Sequence, residues 1–134
     1  MSIFDLFKKK KSRPIDELQW NKMWDLWVEE KISSPYAELM TYETEINNGG
    51  HMQFFDNVAN VSDLPQTISA LYTILPGKLK KNLEKAYNAY LEYEENDEQG
   101  DEIDEIIDEC DSVFYENESK IEDILKEHAK TIEF

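Results

Sequence analysis

Residues 101–116 read DEIDEIIDECDSVFYE, and this stretch decides the fold class. Ile103, Ile106, Ile107, Cys110, Val113 and Phe114 return every three or four positions, which predicts a helix over about 101–116 with one apolar stripe. Asp101, Glu102, Asp104, Glu105, Asp108, Glu109 and Asp111 flank that stripe on both sides and leave a broad carboxylate face for solvent. At about 1.5 Å of rise per residue the seven acids occupy roughly 16 Å of axis. That is about one charge per 2.4 Å, against about one per 1.7 Å in duplex DNA. Pairs such as Asp104 with Asp108 and Glu105 with Glu109 each cost the helix about 0.2–0.5 kcal/mol. A helix so patterned needs other helices to cover its stripe.

The flanking sequence supplies them. Downstream, Ile121, Ile124, Leu125, Ala129 and Ile132 predict a last helix over about 118–133. Upstream, Leu79, Leu83, Ala86, Tyr87, Tyr90 and Leu91 predict a helix over about 78–93, with Asn96 to Gly100 as the breaker. Asp63 before Leu64-Pro65 reads as an N-cap with proline in the first turn, and Pro76-Gly77 ends that helix. Further back, Met52, Phe54, Phe55 and Val58 mark a short helix. Before it, a helix over about 35–48 closes at Asn47-Asn48-Gly49-Gly50, where Asn and Gly tolerate left-handed backbone. The first helix opens at Pro14 and runs to about Ile32, with Trp20, Trp24 and Trp27 at i, i+4 and i+7 as a core stripe beside Leu18 and Met23. No alternating strand pattern competes. The expected fold is all-α, a compact bundle of six or seven short helices forming a single domain over 14–134, preceded by a flexible basic arm over 1–13.

Charge is distributed unevenly over this bundle. The net charge is -16. Residues 1–31 carry +1 and residues 32–91 carry -2, so residues 92–134, with 18 acids and 3 bases, carry -15. From Glu92 to Glu118 there are fourteen acids and no Lys or Arg. Like charge this dense opposes compaction and favours a basic partner over nucleic acid or anionic membrane. With 40% hydrophobic residues and sixteen Phe, Tyr and Trp, the chain still has the material for a core. One cysteine excludes an internal disulfide framework, no apolar run reaches membrane-spanning length, and no secretory signal opens the chain, so a cytoplasmic location is expected. Ile3, Phe4, Leu6 and Phe7 beside Lys8–Lys11 and Arg13 are too few for stable membrane anchoring.

Chemistry-bearing motifs are sparse. In the twelve-residue calcium loop, Gly100 at position six would put Gln99 at five and Ile106 at twelve, so the pattern fails. Cys110, His51 and His128 are too few and too scattered for a soft metal. No metal or cofactor is expected. Phosphate loops, nucleophile elbows and metalloprotease helices are absent from the sequence. Cys110 sits in the apolar stripe among acids, which raises a thiol pKa and makes it inert. His51 with Glu45 and Gln53 is the one acid/base grouping, and a histidine in a turn is more often a surface residue than a catalyst.

Residues 42–57, YETEINNGGHMQFFDN, are the most family-specific text. Glu45, Asn47, Asn48, Gly49, Gly50, Gln53, Phe54, Phe55 and Asn57, with the later Phe114-Tyr115-Glu116, resemble the signature of the bacterial DNA-mimic protein 19 family over roughly residues 33–134, departing from it at Asp56 and in an N-terminal half that is only weakly acidic. The resemblance implies an all-α, non-catalytic protein that imitates DNA towards a basic DNA-binding protein, as a homodimer. From the residues themselves, the Asn48-Gly49-Gly50 turn is structural. Gln53 and Asn57 are expected to satisfy backbone groups at it, while Phe54 and Phe55 anchor the next helix in the core. The partner-binding acids expected are Asp101 to Asp111. An immunity-type or antitoxin-like neutraliser of a basic toxin is the alternative, and an enzyme built on the NGG turn a third.

Overall fold

The computed structural model describes residues 17–95 and 100–133, all of whose regular structure is helical. The basic arm over 1–13, the start at Pro14 and most of the Asn96–Gly100 breaker lie outside the described residues. Five helices follow one another: α1 (17–28), α2 (Tyr36–Val61), α3 (Leu64–Ile74), α4 (Gly77–Glu95) and α5 (Gly100–Ala129). The expected count of six or seven is corrected at two places. The helices expected over 35–48 and beyond Gly50 form one kinked element, α2, whose backbone leaves helical values only at Gly49 and Gly50. The helices expected over 101–116 and 118–133 form one unbroken rod of 30 residues, α5.

Why α5 does not break at Asn117 is visible in its buried positions. Ile103, Ile107, Cys110, Phe114, Asn117, Ile121, Leu125 and Ala129 alternate steps of four and three before settling to four. Asn117 therefore occupies a core register position. Its Nδ2 donates to the Val113 carbonyl one turn back (2.8 Å), so the amide is satisfied within the helix. Among the described residues the expected Asp63 cap and the Pro76-Gly77 stop are present. Asp63 Oδ1 accepts from the Gln66 N–H (3.1 Å), with proline in the first turn of α3. Helix α1 ends earlier than expected, at residue 28. There Glu30 adopts φ 60 and the Lys31 N–H reaches back to the Leu26 carbonyl (2.8 Å), the six-to-one bond of a Schellman closure made without glycine.

Helices α4 and α5 run antiparallel. Buried Asn82 Nδ2 donates to the Cys110 carbonyl (2.8 Å), and Lys85 meets Glu109 on the outside (3.3 Å). Helix α2 lies across α5 and also packs on α3 and α4. The core between them is aromatic. Phe114 meets Tyr42 edge-on at 5.3 Å, Tyr42 meets Phe54 at 5.0 Å, and Phe55 meets Tyr90 at 4.9 Å. Trp20, Trp24 and Trp27 are half-buried against this core as two successive edge-to-face pairs, whereas Leu18, expected beside them, is exposed. Trp27 Nε1 donates to Thr41 Oγ1 (3.0 Å), fixing α1 to α2.

Phe114 is fully buried at the crossing of α2 and α5. Phe114→Ala should therefore cost about 3–5 kcal/mol in urea denaturation, whereas Leu91→Ala, on the half-exposed side of α4, should cost under about 1 kcal/mol.

Candidate functional site

Two features compete for the role of functional site: the break in α2 and the acidic face of α5. The break comes first because α5 builds it. Gly49 has φ -165 and ψ 16, and Gly50 has φ 79 and ψ -176, a conformation open essentially to glycine alone. A helix interrupted in this way leaves carbonyls unpaired before the break and N–H groups unpaired after it. Two α5 side chains, Asp111 and Tyr115, supply partners for such groups, and a third, Glu118, holds a side chain beside the break. Asp111 Oδ1 accepts from the His51 N–H (2.8 Å), Tyr115 OH donates to the Ile46 carbonyl (2.9 Å), and Glu118 Oε2 accepts from Asn47 Nδ2 (2.7 Å).

His51 itself is fully buried, which corrects the expectation of a surface residue. Its Nδ1 lies 2.6 Å from Asp111 Oδ1 and its Nε2 lies 2.6 Å from Tyr42 OH. Burial first, then the Cys110 and Asp111 charges, push the Tyr42 phenol well above its ordinary 10.0, so its hydroxyl keeps its proton. The Asp111 carboxylate accepts, so Nδ1–H donates to it, and in the neutral imidazole Nε2 then accepts from Tyr42 OH. The result is an internal hydrogen-bonded chain, Tyr42 to His51 to Asp111, enclosed by Phe55 and Phe114.

The rest of the motif braces the same break. Gln53 Nε2 (3.2 Å) and Asn57 Nδ2 (2.8 Å) both donate to Glu45 Oε2, so they tie the second half of α2 to the first through a carboxylate. The expectation that they serve backbone groups is corrected. Phe54 and Phe55 are fully buried, as expected, and Asn47, Asn48 and Gly49 are exposed. At Asp56, the departure from the family signature, the carboxylate accepts from Tyr90 OH (3.2 Å). Glu45 and His51 engage different partners, so the grouping of Glu45, His51 and Gln53 is not assembled. Two surface clefts, of about 800 Å³ beside Trp20 and Lys126 and about 720 Å³ beside Trp27 and Val61, include none of these residues.

On α5, Asp101, Glu102, Asp104, Glu105, Asp108 and Glu109 are all exposed, and the helix that carries them is continuous. Glu109 pairs with Lys85 (3.3 Å); no ion pair to the other five occurs among the described residues. Glu92, Glu94 and Glu95 at the end of α4 are exposed as well. Asp111, grouped with these acids by sequence, is half-buried and turned inward to His51. Burial pushes the Cys110 thiol up to about 11, with Lys85 opposing and Asp111 and Glu109 adding to the rise.

A third carboxylate group was not anticipated. Glu43 on α2 faces Glu118 and Glu122 on α5, one oxygen from each lying within 4.8 Å of the others. Burial, then Glu122 and Glu118, raise Glu43 from 4.5 to about 8. Only the i, i+4 spacing of Glu118 and Glu122 was legible in advance; their approach to Glu43 depends on how α2 crosses α5.

Gly49 and Gly50 should respond differently to alanine. At Gly50 a Cβ would lie 2.5 Å from Asp111 Oδ2 in a backbone conformation closed to alanine, so Gly50→Ala should cost about 2–4 kcal/mol in chemical denaturation. At Gly49 the clash is with the flexible end of Gln53, so Gly49→Ala should cost under about 1.5 kcal/mol. Glu43 sets a pH slope. Because the folded state holds its proton up to about 8 and the unfolded chain only to about 4.5, its contribution is complete at low pH and is lost as pH rises through that window. In chelator, Glu43→Gln should flatten the slope and raise stability above pH 8 by about 1–3 kcal/mol over the unmodified protein.

No curated protein and no solved structure matches the chain. One family model, described as DMP19-like protein, matches residues 35–132. That span holds the Asn48-Gly49-Gly50 break in α2, the residues that brace it, and the α5 side chains that complete it. The chain thus belongs to the DMP19-like protein family.

Proposed function

We propose that this protein is a non-catalytic DNA mimic, which places the exposed carboxylates at the start of α5 in the nucleic-acid site of a basic DNA-binding protein. The observation that carries the reading is a continuous helix presenting Asp101, Glu102, Asp104, Glu105 and Asp108 outward with no ion pair to them among the described residues. A rigid helix holds these charges at spacings near those of a phosphate backbone, where a flexible acidic tail would let them drift apart. A basic cleft that exchanges its DNA counterpart for this face releases the same kind of counterions. Binding should therefore be steeply salt-dependent.

The NGG turn supports a structural role better than a catalytic one. Both rings of the Tyr42–His51 pair are fully buried, and the Asp111 and Glu45 carboxylates are already engaged by protein donors. The expected homodimer, which the family resemblance implies, belongs to the same proposal; two copies would offer two acidic helices to a duplex-sized cleft.

The test is competition. Immobilised protein at low ionic strength should retain a basic DNA-binding protein that duplex DNA displaces and added salt releases. The combined change Asp104→Lys, Glu105→Lys and Asp108→Lys should abolish retention while leaving the helical circular dichroism unchanged. Retention that survives this reversal, or a partner that duplex DNA fails to displace, would refute the reading. A basic enzyme with no DNA site as the retained partner would point instead to toxin neutralisation.

A further inference from the structure

Helices α2 and α5 cross beyond the acidic face at a point where three carboxylates converge. Glu118 and Glu122, four apart on α5, share one side of that helix, and Glu43 reaches them from α2. Glu43 is only 5% exposed, and its Oε2 is buried with no hydrogen-bond partner. The nearby amide is already committed. Asn47 Nδ2 donates to the Glu43 carbonyl (3.0 Å) and to Glu118 Oε2 (2.7 Å). No lysine, arginine or histidine pairs with any of the three glutamates among the described residues. A buried carboxylate oxygen without a donor, facing two further carboxylates, needs a positive centre or a proton.

The geometry points to Glu43, Glu118 and Glu122 as a binding site for one hard divalent cation of the calcium or manganese class, held between α2 and α5. The donor set is oxygen only, which suits magnesium, calcium and manganese and disfavours the thiolate- and imidazole-seeking metals. The three oxygens lie within 4.8 Å of one another, close enough to share an ion whose metal–oxygen distance is about 2.3–2.6 Å. Magnesium demands a near-ideal octahedron and gives up its water reluctantly, so a set of three protein carboxylates suits the more adaptable calcium and manganese better. Glu118 and Glu122 are half-exposed, so one side of the site stays open for ion entry and for solvent to complete the coordination. Bound there, the ion would fasten the second half of α5 to the first half of α2, through the same Glu118 that holds Asn47 at the kink.

The experiment titrates chelator-treated protein with MnCl2 and, separately, CaCl2 at constant neutral pH and 150 mM salt, read by calorimetry, by Mn2+ paramagnetic resonance and by thermal midpoint. One saturable site per chain and a rise in midpoint are expected. Glu43→Gln keeps the shape and leaves no carboxyl to ionise at the buried position, so it should fold. It should weaken binding at least tenfold and cancel the shift in midpoint, and Glu122→Gln should act in the same direction. Asp123→Asn combined with Glu127→Gln removes two exposed charges from the same helix and should leave binding within twofold. Absence of saturable binding at millimolar cation, or equal weakening by the Asp123/Glu127 pair, would overturn the site; the three carboxylates would then share protons and attract cations only diffusely.

Discussion

The fold turns on the contact between Asp111 and His51. Helix α2 has to bend at Gly50 so that its two halves can pack on different neighbours, and the bend exposes main-chain donors inside an apolar core. Unpaired, such groups cost about 1–3 kcal/mol each. Asp111 meets the His51 N–H and imidazole with one oxygen, and the imidazole passes the connection to Tyr42 in the first half of the helix. The two halves of α2 are thus joined through a side-chain chain where their backbone ladder is interrupted. Gly50 is required twice over, once by its φ of 79 and once by the carboxylate that occupies the space of a Cβ. On the following turns of α5, Tyr115 serves the Ile46 carbonyl and Glu118 holds the Asn47 side-chain amide. The spacing of Asp111, Tyr115 and Glu118 is therefore set by the bend they serve.

Local signals were legible in the sequence and long-range ones were not. Asp63 with Pro65, the Pro76-Gly77 stop and the apolar stripes of α3, α4 and α5 are written within a few neighbouring residues, and each element lies near its expected place. The Asn48-Gly49-Gly50 break was legible as a turn for the same reason. Asn117 misled because a polar residue at a core register looks like a boundary, although its amide folds back on its own helix. Glu30 misled in the opposite sense, closing α1 in a left-handed conformation with no glycine to announce it. The burial of His51 depends on a partner sixty positions later, and no periodicity reports such a pairing.

Helix α5 combines three environments along one rod. Its first three turns are wet and acidic on the outside, its middle turn completes the α2 bend, and its last turns bring Glu118 and Glu122 towards Glu43. Each like-charged i,i+4 pair on the outside costs about 0.2–0.5 kcal/mol. A fully buried Ile or Leu side chain returns about 1.5–3 kcal/mol, and the stripe buries Ile103, Ile107, Ile121 and Leu125 along with Phe114. The repulsion is thus small beside the burial that holds the helix in place. Sparse charge on the outer face is therefore not a condition for folding.

Composition groups Asp111 with its neighbours, yet its position gives it a different task. From Asp101 to Asp108 the acids flank the stripe at positions turned to solvent, where no ion pair among the described residues calls for a negative charge, and Glu109 beyond them meets Lys85. Asp111 follows Cys110 on the side that meets the α2 break, and there a negative acceptor is what the His51 N–H and imidazole require. Exchanging it for a neutral residue would therefore disturb the core as well as the surface charge, an effect distinct from any on the proposed partner surface. The surface proposed over Asp101, Glu102, Asp104, Glu105 and Asp108 is separable from this role, because those side chains can change sign without touching the bend on which the bundle depends.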